Sequence, residues 1–71
     1  MDTDKVLIHV RFVPDGSVSE IGERPASLSP QQWFNLLSEK QGLQYQALAG
    51  GRGVFRLPRD IVDSLKGSIA A

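Results

Sequence analysis

Along Lys5-Val6-Leu7-Ile8-His9-Val10-Arg11-Phe12-Val13, Val6, Ile8, Val10 and Phe12 fall on one side of an extended chain, and Leu7, His9, Arg11 and Val13 on the other. A period of two with this many β-branched residues predicts a strand, and one with aliphatic side chains on both faces. Pro14-Asp15-Gly16-Ser17 follows. Proline presets φ there and glycine accepts a positive φ, so the segment is a turn. The chain returns through Val18-Ser19-Glu20-Ile21-Gly22-Glu23-Arg24, a polar run interrupted by Gly22 that predicts an edge or bulged strand.

The period then lengthens. Within Leu28-Ser29-Pro30-Gln31-Gln32-Trp33, Ser29 is the expected N-cap, Pro30 the first helical residue and Gln32 the capping-box partner, while Leu28 and Trp33 have the spacing of a hydrophobic staple. Trp33, Leu36, Leu37 and Lys40 recur at helical spacing, with Phe34 at the margin of the apolar stripe. The helix is predicted over Pro30–Gln41, with Gly42 as a left-handed stop. Leu43, Tyr45 and Ala47 then alternate with glutamines, as in a strand covered on one face. Val54-Phe55-Arg56-Leu57 is a second β-like run, and Ala49-Gly50-Gly51-Arg52-Gly53 between the two predicts a hairpin connection with Arg52 at its tip. Pro58 ends the pairing, and Arg59–Lys66 predicts a short helix with Ile61 and Leu65 inward, Asp60 and Asp63 favoured by the dipole at its start, and Gly67 as its stop.

The order is ββαββα. Two helices with one apolar stripe each need a sheet face to cover, so the expected fold is α+β: a two-layer sandwich with a four-stranded, mostly antiparallel sheet and two helices on one face. A single domain is expected over residues 1–71, with 1–4 and 68–71 frayed. The opposite sheet face is expected to carry Leu7, His9, Arg11, Val13, Gln44 and Gln46, a mixed surface that a monomer gains little by exposing.

Size and composition sharpen this. A chain of 71 residues buries only about 60% of the surface its unfolded form exposes. With no cysteine, and His9 as its one histidine, it has neither a disulfide nor a structural zinc as a staple. A homodimer or a protein partner is therefore expected, and neither a metal nor a cofactor. No apolar stretch approaches the ~18 residues of a membrane span, and the acidic start Met-Asp-Thr-Asp-Lys does not suit a signal peptide. The expectation is a cytoplasmic, bacterial-type protein. Net charge is zero, which counts against a dedicated nucleic-acid binder. The balance is uneven, however: residues 1–42 hold four Lys/Arg and six Asp/Glu, and residues 43–71 hold four and two.

The glycine-rich AGGRG stretch lacks the lysine and the following helix of a phosphate loop, and β-like residues follow it where a dinucleotide fingerprint needs a helix. Arg52, Arg56 and Arg59 remain as a candidate contact for an anion or a nucleic-acid backbone. Leu7, His9, Arg11 and Val13 on the first strand, with Phe34, are the candidate protein interface. His9 has no second histidine or cysteine with which to hold a metal, and a general base would need an orienting carboxylate. The acidic residues Asp2, Asp4, Glu20 and Glu23 are spread over a tail and an edge strand, as solubilising and edge-protecting charges are.

From Gln31 to Leu57, the order helix, glycine, strand, glycine-containing turn, strand resembles small double-stranded-RNA-binding-like domains, including HicA-type mRNA interferases. The histidine that those toxins carry after the glycine turn is replaced here by Arg52 and Gly53, and a hairpin precedes the helix. The likeness is confined to that order of elements over less than half the chain. The residues themselves lead to a non-enzymatic protein-binding or adaptor module that self-associates through its exposed sheet face or edge strand. The alternative is a weak nucleic-acid-binding domain using Arg52, Arg56 and Arg59.

Overall fold

Where β-branched residues alternate, the chain is extended: β1 spans Lys5–Phe12 in the computed structural model, which describes residues 5–70. Its turn closes as the Pro-Asp-Gly-Ser signal requires. Gly16 has φ 93°, Val13 N–H donates to Ser17 O at 2.9 Å, and the Asp15 carboxylate accepts from both the backbone N–H and the hydroxyl of Ser17. β2, Val18–Ile21, returns antiparallel to β1. Arg11 pairs with Glu20 but Phe12 with Val18, so Ser19 is the extra residue of a β-bulge.

The second strand ends three residues earlier than its polar run suggests. Glu23 has φ 61°, a left-handed conformation unusual for a side chain with a Cβ, and it turns the chain out of the sheet. α1 follows over Pro30–Gln41 with the expected capping box, Gln32 N–H donating to Ser29 Oγ and Ser29 N–H to Gln32 Oε1. Gly42 is not the left-handed stop: its φ is −59°, and it continues into a 3-10 turn, Gly42–Gln44. The detour leaves Leu43 99% exposed and delays β3 to Tyr45–Leu48. Ala49-Gly50-Gly51 makes the hairpin, with φ of 77° at Gly50 and 71° at Gly51. Arg52 is the first residue of β4, Arg52–Pro58, rather than the tip of the turn.

Gly53 serves a different need. A Cβ there would collide with the hydroxyl end of the Tyr45 side chain, meeting its Oη and lying 2.6 Å from Cε1 and Cζ, so the glycine makes room for an aromatic lying over the adjacent strand. Beyond β4, α2 runs from Arg59 to Ala70, passing through Gly67 and over Ser68–Ile69, where an earlier stop and fraying are expected from the sequence. Tertiary cover outweighs the glycine's propensity cost, because Leu65 and Ile69 on either side of it pack against the core. Val62, not Ile61, is the fully buried residue of this helix.

The sheet has the order β2-β1-β4-β3, antiparallel throughout, so the fold is α+β with four strands and two helices. Ile8, Val10, Phe55 and Leu57 from the two central strands meet Trp33 and Leu37 of α1 and Val62 of α2. Burying one such side chain is worth roughly 1.5–3 kcal/mol. Phe34 is at the margin, as its place beside the stripe suggests, with ring centroids 5.4 Å from Phe12, 5.8 Å from Tyr45 and 5.8 Å from Phe55 in edge-on arrangements.

Three tethers hold the first hairpin under the helices. Trp33 Nε1–H donates to Gly22 O at 3.0 Å, and Gln31 Oε1 accepts from Val18 N–H at 2.8 Å. Glu23 takes a two-pronged pair from Arg59, at 3.1 Å for each oxygen, and a third bond from Lys66. The Arg59 guanidinium and then the Lys66 ammonium hold the Glu23 carboxyl down at about 2, against an ordinary 4.5.

Candidate functional site

Because both helices lie on one side, the other face of the sheet is open, and its composition follows from register. β1 and β4 set Leu7 opposite Arg56, His9 opposite Val54 and Arg11 opposite Arg52. β2 sets Glu20 beside Arg11, and β3 sets Gln46 beside Val54 and Leu48 beside Arg52. Lys5 stands at the end of the same face, two positions before Leu7. Facing residues on adjacent strands have Cα atoms about 4.5–5.5 Å apart. Arg52 and Arg56 are separated along β4 by about 13 Å.

Among the described residues, Lys5, Arg11, Arg52 and Arg56 thus share one face with a single carboxylate, Glu20. The Arg11 Nε to Glu20 Oε1 distance is 4.0 Å, with side chains 64% and 77% exposed, so that pair is worth little. Neither Arg52 nor Arg56 has an ion-pair or hydrogen-bond partner among the described residues. Like charges directly opposite one another destabilise a sheet, and Arg11 and Arg52 are such a pair. Between the cations, Val54 is 4% exposed though no helix covers it, hemmed in by its cross-strand partners His9 and Gln46. A shallow groove of about 700 Å³ runs along this face past Leu7, His9, Arg11, Glu20, Leu48 and Arg52.

The arginine triad predicted from the sequence is divided. Arg52 and Arg56 share the open face, while Arg59, one residue past β4, is engaged with Glu23 and, at 3.4 Å, with Asp63. The candidate interface is divided likewise. Leu7, His9 and Arg11 are together and exposed on the open face, with Leu7 52% exposed. Val13, 36% exposed, stands just beyond β1 at the mouth of the first turn. Phe34 packs with aromatics on the helical side and does not reach this surface. Gln44 lies in the 3-10 turn, so Gln46 is the strand glutamine of the open face.

What sequence reasoning missed is the adjacency of Arg11 and Arg52, forty-one positions apart. Arg52 and Arg56 share a face because β4 begins at Arg52, and only the pairing of β1 with β4 shows which residues they face. Among the described residues no side chain hydrogen-bonds the His9 imidazole, no group of three His, Cys, Asp or Glu could hold a metal ion, and no helix is long and apolar enough to cross a membrane. Comparison with models of known protein families, with curated proteins and with solved structures finds no match.

Proposed function

We propose that this chain is a non-enzymatic binding module whose open sheet face takes the backbone of a nucleic acid. The observation that carries this is the Arg11–Arg52 cross-strand pair, extended by Arg56 and Lys5 and offset among the described residues only by Glu20. Two neighbouring guanidinium forks offer donors to a phosphate in a way that one solvated arginine does not. Zero net charge is compatible with this, because most acidic residues lie off the face, Glu23, Asp60 and Asp63 among them. The exposed aromatic rings of a base-stacking platform are missing from the face, so recognition is through the backbone and independent of sequence.

A labelled single-stranded oligonucleotide titrated at low salt tests this by fluorescence anisotropy. With about four phosphate contacts, the affinity falls with salt on a log–log slope of about −3. Arg52→Ala weakens binding and makes the slope shallower by about 1, while Arg59→Gln leaves the slope unchanged. Absence of binding at low salt, or binding indifferent to Arg52 and Arg56, refutes the proposal. If poly-glutamate binds as tightly and with the same slope, the face belongs to an acidic protein partner instead. Self-association through this face is disfavoured, since a second copy would set cations against cations.

A further inference from the structure

The two edges of the sheet differ in kind. At the β2 edge the outward Val18 N–H is taken by Gln31, a bulge interrupts the strand at Ser19, and the charged Glu20 and Glu23 lie on or just past it. These are the devices by which edge strands avoid further pairing. The β3 edge has none of them. From Gly42 to Gly51 the chain carries no charged residue and no proline, and among the described residues no side chain hydrogen-bonds the backbone of Gln46–Leu48. Apolar surface gathers there too, with Leu43 99% and Leu48 39% exposed and Ala47 exposed between them.

We infer that the β3 edge is a self-association site, where β3 of one copy pairs antiparallel with β3 of a second copy. The occupant is a second copy because the edge is self-complementary: a strand without charge meets its own image with no like-charge repulsion, and a two-fold axis is the commonest route to a closed dimer. Geometry restricts the register. Residues opposite each other in a sheet share a face, so a two-fold normal to the sheet must pass through Gln46 or through Ala47, facing each with its own counterpart. The same axis turns both open faces to one side, giving a continuous eight-stranded sheet with the two basic faces coplanar. A four-residue strand gives a weak, concentration-dependent dimer.

Sedimentation velocity over a concentration series tests this directly. The wild-type chain shifts from monomer to dimer as concentration rises, and whichever of Gln46→Lys and Ala47→Lys lies on the axis weakens the dimer by about tenfold or more, since it sets two like charges face to face. Both positions are exposed, and an unchanged circular dichroism spectrum shows that each variant still folds. In a chain without cysteine, Gln46→Cys or Ala47→Cys forms an intermolecular disulfide on mild oxidation, whichever lies on the axis. A monomer up to about 1 mM, or a dimer that the lysine at the disulfide-forming position does not weaken, overturns the inference. Arg52→Ala leaves the dimer intact, so loss of nucleic-acid binding and loss of self-association are read separately.

Discussion

In the hairpin of β1 and β2, four side chains from the helices reach back to the outer strand and its exit: Gln31 to Val18, Trp33 to Gly22, and Arg59 with Lys66 to Glu23. The hairpin of β3 and β4 repeats the plan of strand, turn, strand and helix, yet its outer strand receives no such bond among the described residues and is followed by a turn with two glycines of positive φ. The first half is held from outside, by polar groups that take up the Val18 N–H, the Gly22 carbonyl and the Glu23 carboxylate. The second is held from within, by an aromatic cluster of Phe34, Tyr45 and Phe55 beside Gly53. One plan thus gives a closed edge and an open one, and the difference lies in which residues follow each strand.

Removing the central anchor of the first half has the largest expected effect. Trp33 is fully buried and tethers Gly22, so Trp33→Ala loses both packing and a hydrogen bond, at about 3–5 kcal/mol. A chain of this size has about 4–10 kcal/mol in total. Urea unfolding followed by circular dichroism should show a midpoint lowered by half or more of its wild-type value at the lower end of that range; a loss under about 1 kcal/mol would mean that the first half is not held as described.

The second half is probed by Gly53→Ala. The new methyl collides with the hydroxyl end of Tyr45, and the ring must move off its neighbours, at about 1–3 kcal/mol. In a Tyr45→Ala background the same substitution costs less, because the obstacle is gone, and a double-mutant cycle measures that coupling. Equal costs in both backgrounds would refute the close approach.

Glu23 separates the halves by pH. Its carboxyl is held at about 2 against an ordinary 4.5, so the folded state binds the proton less readily than the unfolded one. The resulting stability is complete above about 4.5, declines as pH falls and is gone near 2. Solvent reaches the cluster, which limits the contribution to about 1 kcal/mol. Glu23→Gln should therefore be less stable than wild type by that amount at pH 7 and equal to it near pH 2, as measured by unfolding at each pH. A constant difference across the range would show that the clasp acts through packing alone.

How much of this the sequence discloses depends on how local each cause is. The capping box at Ser29, the Pro-Asp-Gly turn, the burial of Trp33 and the positive φ of Gly50 and Gly51 depend on neighbours a few positions away, and all are readable. Gly42 and Gly67 mislead because glycine permits a left-handed stop without requiring one, and the 3-10 turn and the core contacts of Ile69 decide the outcome. Glu23, which looks like a solubilising edge charge, is bound by residues 36 and 43 positions away. The candidate site is of the same nonlocal kind. Arg52, expected at the hairpin tip, shares a face with Arg56 only because β4 begins at Arg52, and Arg11 joins them only through the strand order.

The smallest expected effect on stability carries the clearest functional sign. Arg52 faces Arg11 across the β1–β4 ladder without an ion-pair partner among the described residues, so its charge raises the energy of the free protein. Arg52→Ala removes that repulsion, and the stability of the free protein should hold or rise by about 0.5 kcal/mol or less at low salt. Added salt screens the same repulsion, so the gain should fade as ionic strength increases. The oligonucleotide affinity should fall in the same variant, because the lost charge is also a phosphate contact. A side chain kept for folding would give the opposite sign for stability, and a marked loss on Arg52→Ala would return Arg52 to a structural role and remove the open face's main cation from the proposal.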